Sequence, residues 1–188
     1  SSQFCAVAML GAPYARSTTM APRIPHADES SLSDENRNLL AALPPLNLFK
    51  VLANAPASFK PFLELGGAIL FKSEFDARKR EIAILRVAHV TRSNYEWVQH
   101  VALARHAGVT DEEIEKIASD ELVTSLDAEG NLLCRVAEEI TRDVRLSDDA
   151  LAQIIERYGN RGATELIITC CWFNLISRFL ESTRVELE

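Results

Sequence analysis

Between Glu81 and His100 the sequence gathers six side chains able to move protons or hold charge: Glu81, Arg86, His89, Ser93, Glu96 and His100. Ser93, Glu96 and His100 follow an i, i+3, i+7 spacing, so on a helix they share one face. A carboxylate one turn before an imidazole can orient it and raise its pKa, which suits proton transfer near neutral pH. Ser93 would start that helix, where free backbone N–H groups favour an anion such as a carboxylate or an enolate. The same residues have a structural reading. Ser93-x-x-Glu96 has the form of a capping box, and an exposed Glu96–His100 pair adds only ~0.2–0.5 kcal/mol to a helix. On spacing alone both readings stand. His89, Glu96 and His100 are also of metal-ligand type, but no HExxH or similar motif accompanies them, so no metal is expected.

The elements that must position these residues are helical. All seven prolines of the 188-residue chain lie at or before Pro61. Glycines beyond that point are few, which disfavours a sandwich or barrel with its frequent turns. Apolar periodicity and cap signals predict helices over 34–43, 46–54, 58–71, 76–89, 93–106, from Thr110, over 127–143, from Ser147 to near Gly159, and over 163–181. Ser33 is an N-cap candidate, Thr110-Asp111-Glu112-Glu113 a capping box and Gly108 a C-cap. The reading is all-α, with eight or nine helices and no convincing strand. Residues 1–22 are expected to form an N-terminal arm or upstream extension, with 23–188 a single domain; Met20 would make a plausible native start.

Charge and cysteines narrow the function classes. The net charge of −7 opposes general nucleic-acid binding, which needs a positive field. No uncharged apolar run approaches the ~20 residues of a membrane span. Cys5, Cys134, Cys170 and Cys171 form no CxxC and no metal-type spacing, and four cysteines do not read as a secreted disulfide scaffold. A reducing, cytoplasmic compartment is expected, and the last three cysteines are expected in buried helices.

Arg80-Glu81-Ile82-Ala83-Ile84-Leu85-Arg86, followed by Ser93-Asn94-Tyr95-Glu96-Trp97-Val98-Gln99-His100 and Ala104-x-x-Ala107-Gly108-Val109, resembles the core signature of the carboxymuconolactone decarboxylase family. The stretch from Glu165-Leu166-Ile167-Ile168 to Phe173-Asn174-Leu175-Ile176-Ser177-Arg178 is similar to that family's buried C-terminal helix. The resemblance runs from about Arg23 to Leu187. It implies the alkylhydroperoxidase-D-like all-helical bundle and a trimer or hexamer. In the peroxidase branch a CxxC opens this helix, a histidine follows the second cysteine by four residues, and a glutamate precedes the first by twelve. His100 and Glu81 match the last two. Ser93 and Glu96 stand at the cysteine positions and cannot form a redox disulfide. The resemblance is therefore to the branch lacking CxxC, whose decarboxylase chemistry needs no cofactor.

What the resemblance implies is a cofactor-independent lyase or isomerase acting on a small carboxylated or lactone substrate. His100 would protonate or deprotonate the substrate, and Glu96 and Glu81 would orient His100 or relay the proton. Arg86, His89, Ser93, Asn174 and Arg178 are the expected substrate-binding set. A guanidinium offers a carboxylate a bidentate fork, and Asn174 and Arg178, at i and i+4, can face one pocket. The structural alternatives are an Arg86–Glu81 salt bridge and an Arg178–Glu181 pair. Trp97, Trp172 and Phe173 are expected in the core or a subunit interface. The competing functions are an alkylhydroperoxidase-like antioxidant protein and a non-catalytic oligomeric family member.

Overall fold

The structure, a computed structural model, describes residues 22–188. The arm expected over 1–22 lies, apart from Pro22, outside the described residues, as does Cys5. Among the described residues there is no strand. A short 3-10 turn, Glu29–Ser31, precedes eight helices: α1 (Asp34–Ala42), α2 (Asn47–Leu52), α3 (Pro56–Phe71), α4 (Ala77–Thr91), α5 (Asn94–His106), α6 (Asp111–Ile117), α7 (Ala128–Arg142) and α8 (Asp148–Thr183).

Local chemistry sets most of these boundaries. Side chains of Ser33, Asp76, Asp127 and Ser147 each accept a hydrogen bond from a first-turn backbone N–H, satisfying donors that a helix start leaves open. Thr110 and Glu113 form the reciprocal capping box. Gly108 adopts φ 91° just past α5, the left-handed position glycine fills without a Cβ penalty. Several boundaries differ from the sequence expectation; α2 ends at Leu52 rather than at 54, and α4 runs on to Thr91 rather than stopping at 89. Helix α3 begins at Pro56, not Ser58, because proline's fixed φ suits the first helical turn, and it runs unbroken through Gly66-Gly67. Helix α8 spans both helices expected after Ser147, broken only at Gly159 (φ 66°, ψ 175°). Its apolarity is used within the fold, since 56% of its most apolar stretch is buried.

Helix α4 is the centre of the molecule. Ten consecutive residues, Arg80 to His89, are buried. An ordinary amphipathic helix buries one stripe; α4 is enclosed because α5, α6, α7 and α8 all pack on it. Helix α7 contributes Leu132, Leu133, Val136 and Ala137 to the shared core. A smaller cluster around Leu32, Leu52, Ala53 and Phe59 joins α1, α2 and α3 into an outer layer. Arg92, in the left-handed conformation (φ 57°), ends α4, and Ser93 N donates back to Ala88 O at 2.9 Å. This tight reversal folds α5 back along α4 and brings Glu81 level with His100.

Candidate active site

His100 is clamped between two carboxylates. Its Nδ1 lies 2.8 Å from Glu81 Oε2, across the α4–α5 pair. Its Nε2 lies 3.5 Å from Glu96 Oε2 on its own helix. The relative exposures of Glu81, Glu96 and His100 are 3%, 4% and 6%, so none is a surface pair. Phe173 from α8 stands edge-on to the imidazole, with ring centroids 4.8 Å apart. With Nδ1–H donating to Glu81, the ring is fixed and Nε2 is directed toward Glu96. Glu96 Oε2 is buried and has no hydrogen-bond donor, a costly state for a charged oxygen.

Electrostatics follow from that enclosure. Burial pushes the Glu96 carboxyl up to about 7; the nearby imidazole opposes this and Glu81 adds to it. For His100, burial alone would lower the pKa, but the Glu81 and Glu96 carboxylates outweigh it and the net direction is up. The cluster therefore holds protons near neutral pH and can exchange them, the property a general acid or base requires.

Glu96 and His100 form part of the wall of a cavity of about 390 Å³. The remaining wall comes from the α1–α2 loop (Leu43, Pro44, Leu46), from α2 and α3 (Phe49, Phe62, Gly66, Gly67, Leu70), and from Trp172, Phe173 and Ile176 on α8. The volume falls in the range of small-molecule sites. Tyr95 and Gln99 also line it, and both donate to the carboxylate of Glu188, at 2.7 and 2.9 Å. The wall is tight at Gly66, where a Cβ would lie 3.2 Å from the Trp172 ring. Trp172 and Phe173 are buried in the core, as the sequence leads one to expect, and they line the cavity as well. Phe62, Tyr95, Gln99 and the α1–α2 loop carried no chemical signal in the sequence.

The other expected binding residues go elsewhere. Arg86 is fully buried and is not among the cavity-lining residues. Its Nε donates to Glu138 Oε1 at 2.6 Å, and its other nitrogens donate to the carbonyls of Ile117, Ser119 and Glu121 at 2.5–2.8 Å. Its acidic partner is thus Glu138 of α7 and not Glu81. His89 is buried, with Nε2 3.3 Å from Asp120 Oδ1 and its ring against Trp97. Burial above all, and then the Arg86 charge, lower its pKa, against the pull of Asp120. Ser93 is buried, but its hydroxyl has no hydrogen-bond partner and caps no N–H; the Ser93-x-x-Glu96 capping box does not form, because Glu96 turns inward to His100. Asn174 Nδ2 donates to Thr141 Oγ1 and Cys170 O, while Arg178 donates to Asn174 Oδ1 and O. These two do share a face, but neither lines the cavity. Cys171 is exposed, against the expectation that it is buried; Cys134 and Cys170 are buried. No group of three or more His, Cys, Asp or Glu side chains arranged to hold a metal ion occurs among the described residues.

Comparison with known proteins places this arrangement. Residues 56–139, from the start of α3 into α7, match the model of the carboxymuconolactone decarboxylase family. No curated protein matches the chain. Among solved structures it is similar to a peroxidase-related protein of Ralstonia eutropha JMP134, described as an alkylhydroperoxidase AhpD core (TM-score 0.76, 16% identity, covering 89% of this chain and 92% of that one). It is also similar to a peroxidase-related protein of Silicibacter sp. TM1040 (TM-score 0.71, 18% identity, covering 88% and 90%). At such identities the likeness is one of fold. The segment that carries Glu81, Glu96 and His100 thus matches the carboxymuconolactone decarboxylase family model, on an all-helical, alkylhydroperoxidase-D-like fold.

Proposed function

We propose that this protein is an acid–base enzyme of the lyase or isomerase type, working without a cofactor on a small carboxylated or lactone substrate. The observation that carries the reading is the buried Glu81–His100–Glu96 array opening on an apolar cavity. Glu81 is a positioning residue, since it holds Nδ1–H and fixes the ring. Nε2 is then the atom that takes a proton from, or returns one to, a substrate carbon. Glu96, titrating near neutrality, can give its proton to an oxygen on which enolate-like charge develops, the role of an oxyanion donor in a site sheltered from water.

A neutral lactone such as γ-decalactone and, as a carboxylated counterpart, carboxymuconolactone, followed by ultraviolet absorbance and carbon NMR, are the first substrates to test. Turnover of either by the wild type, lost in His100→Gln with the helical circular dichroism unchanged, is the expected result. Full turnover in that variant would remove His100 from the chemistry.

The alternative is an alkylhydroperoxidase-like protein, which the descriptions of the structural neighbours suggest. Thiol chemistry here would have to use unfavourable groups. Burial raises the Cys134 thiol to about 12 and the Cys170 thiol further, where the nucleophilic thiolate is scarce. Cys171 is exposed but also shifted upward by partial burial. Consumption of tert-butyl hydroperoxide with a thiol donor separates the two readings.

A further inference from the structure

Within the acid–base reading, on which this inference rests, the cavity can be asked which form of substrate it accepts. We propose that it binds a neutral, largely apolar carbonyl compound, with a lactone as the model class, that the carbonyl oxygen is seated at Glu96, and that carboxylates are disfavoured.

Three observations lead there. The first is the wall. Phe62, Leu70, Trp172, Phe173 and Ile176 dominate it, and no lysine or arginine among the described residues lines it. An anion entering would shed its hydration without gaining a counter-charge. The arginines within the fold are engaged elsewhere. Arg86 is held by Glu138 and three carbonyls, Arg178 by Asn174, and Arg80 donates from Nη1 to Phe75 O.

The second observation is the charge that an incoming group would meet. Among the described residues Glu96 is the one ionisable carboxyl in the wall beside His100, and Glu81 behind the imidazole adds a second negative group to the cluster, so an anion would meet no net positive charge. Arg80 of α4 is the cation that acts on His100 electrostatically, but it lies outside the lining. The polar groups from α5 are occupied as well: the Tyr95 hydroxyl and Gln99 amide both donate to Glu188.

The third is the unpartnered Oε2 of Glu96 beside the cavity. As a neutral carboxyl, Glu96 carries one O–H donor, and the facing His100 Nε2, at 3.5 Å, is too distant to be a good acceptor for it. A carbonyl oxygen supplies one. The burial that raises the Glu96 pKa favours this neutral form. Beyond the carbonyl, the alkyl part of the ligand has space along α3, where a Cβ on Gly67 would meet nothing within 4 Å.

Equilibrium titration of the full chain with γ-decalactone and with decanoate, two ligands of equal carbon number, tests the proposal. Trp172 fluorescence reports directly, because its ring lies in the wall. The expected result is saturable quenching by the lactone with a Kd at least about tenfold below that of decanoate at pH 6. The lactone affinity should fall as pH rises through about 7, as Glu96 loses its proton. Glu96→Gln, which keeps an N–H donor, should bind the lactone without that pH dependence, and Gly67→Leu, which fills the cavity, should weaken it at least about tenfold. Decanoate binding as tightly as the lactone, no saturable lactone binding below about 1 mM, or unchanged binding in a folded Gly67→Leu would each overturn the proposal. Binding is read without turnover. Lactone preference with no turnover of any lactone would therefore count against the acid–base reading alone.

Discussion

Glu81 and His100 sit on different helices, yet Glu81 Oε2 and His100 Nδ1 meet at 2.8 Å with both side chains buried. One end of the imidazole is thereby committed to a carboxylate from α4, and the other is left for Glu96 and the cavity. A histidine held in this way has a fixed tautomer and a raised pKa, as the base in a proton-transfer site should.

His100→Ala is expected to lower kcat/KM by about 10²–10⁴-fold, the usual contribution of a positioned general acid–base group. Glu81→Gln should act differently. Removing the carboxylate withdraws a main cause of the raised His100 pKa, so the histidine-dependent limb of the pH–rate profile should move to lower pH. An unmoved profile in Glu81→Gln would mean that Glu81 serves packing alone.

Stability should depend on pH through the same cluster. In the folded protein Glu96 titrates at about 7, against an ordinary value of 4.5. Between those values the native state keeps a proton that the unfolded chain releases, so stability falls as pH rises through the window. The raised His100 pKa acts in the same direction: its contribution is complete below the unfolded histidine value of 6.5 and is lost as pH rises through the folded one. Thermal unfolding should show Tm of Glu96→Gln above that of the wild type at pH 8, with the difference shrinking or reversing at pH 5.

Arg86 should prove structural. Truncation to Ala would strand Glu138, 3% exposed, without its guanidinium and leave three carbonyls short of a donor. Breaking one half of a buried pair costs about 3–5 kcal/mol. Urea unfolding should show that loss for Arg86→Ala, and the double replacement Arg86→Met with Glu138→Leu should recover much of it. A stable Arg86→Ala with raised KM would instead return Arg86 to substrate binding.

Gly159 holds φ 66° and ψ 175° at the break in α8, a region essentially restricted to glycine. No atom within 4 Å would obstruct a Cβ there, so any cost of Gly159→Ala is backbone strain. The expected destabilisation is about 1–3 kcal/mol by urea unfolding, with little change in activity, since the break lies away from the cavity.

Much of this molecule is legible along the chain. Caps at Ser33, Thr110, Asp127 and Ser147 and the glycine at 108 mark helix ends because capping is local: donor and acceptor lie within one turn of each other. Glu96 and His100 are found for the same reason, being one helical turn apart on α5. Glu81 enters through the family resemblance, and the tight α4–α5 reversal at Arg92 then brings it to His100. The capping box that the Ser93–Glu96 spacing allows does not form, because the turn of Glu96 toward His100 is a tertiary demand that sets this local rule aside.

By itself the sequence determined that the protein is helical, where most helices begin, and that Glu96 and His100 share one helix face, since 3.6-residue periodicity and caps are written in short stretches of chain. Only the tertiary structure decided which arginines are free for substrate and what the cavity is made of. Arg86 finds Glu138 fifty-two positions away, and the wall combines the α1–α2 loop, α3, α5 and α8. Contacts of that separation depend on how whole helices pack, and helix packing is set by shape and burial over the entire core, which no local spacing encodes.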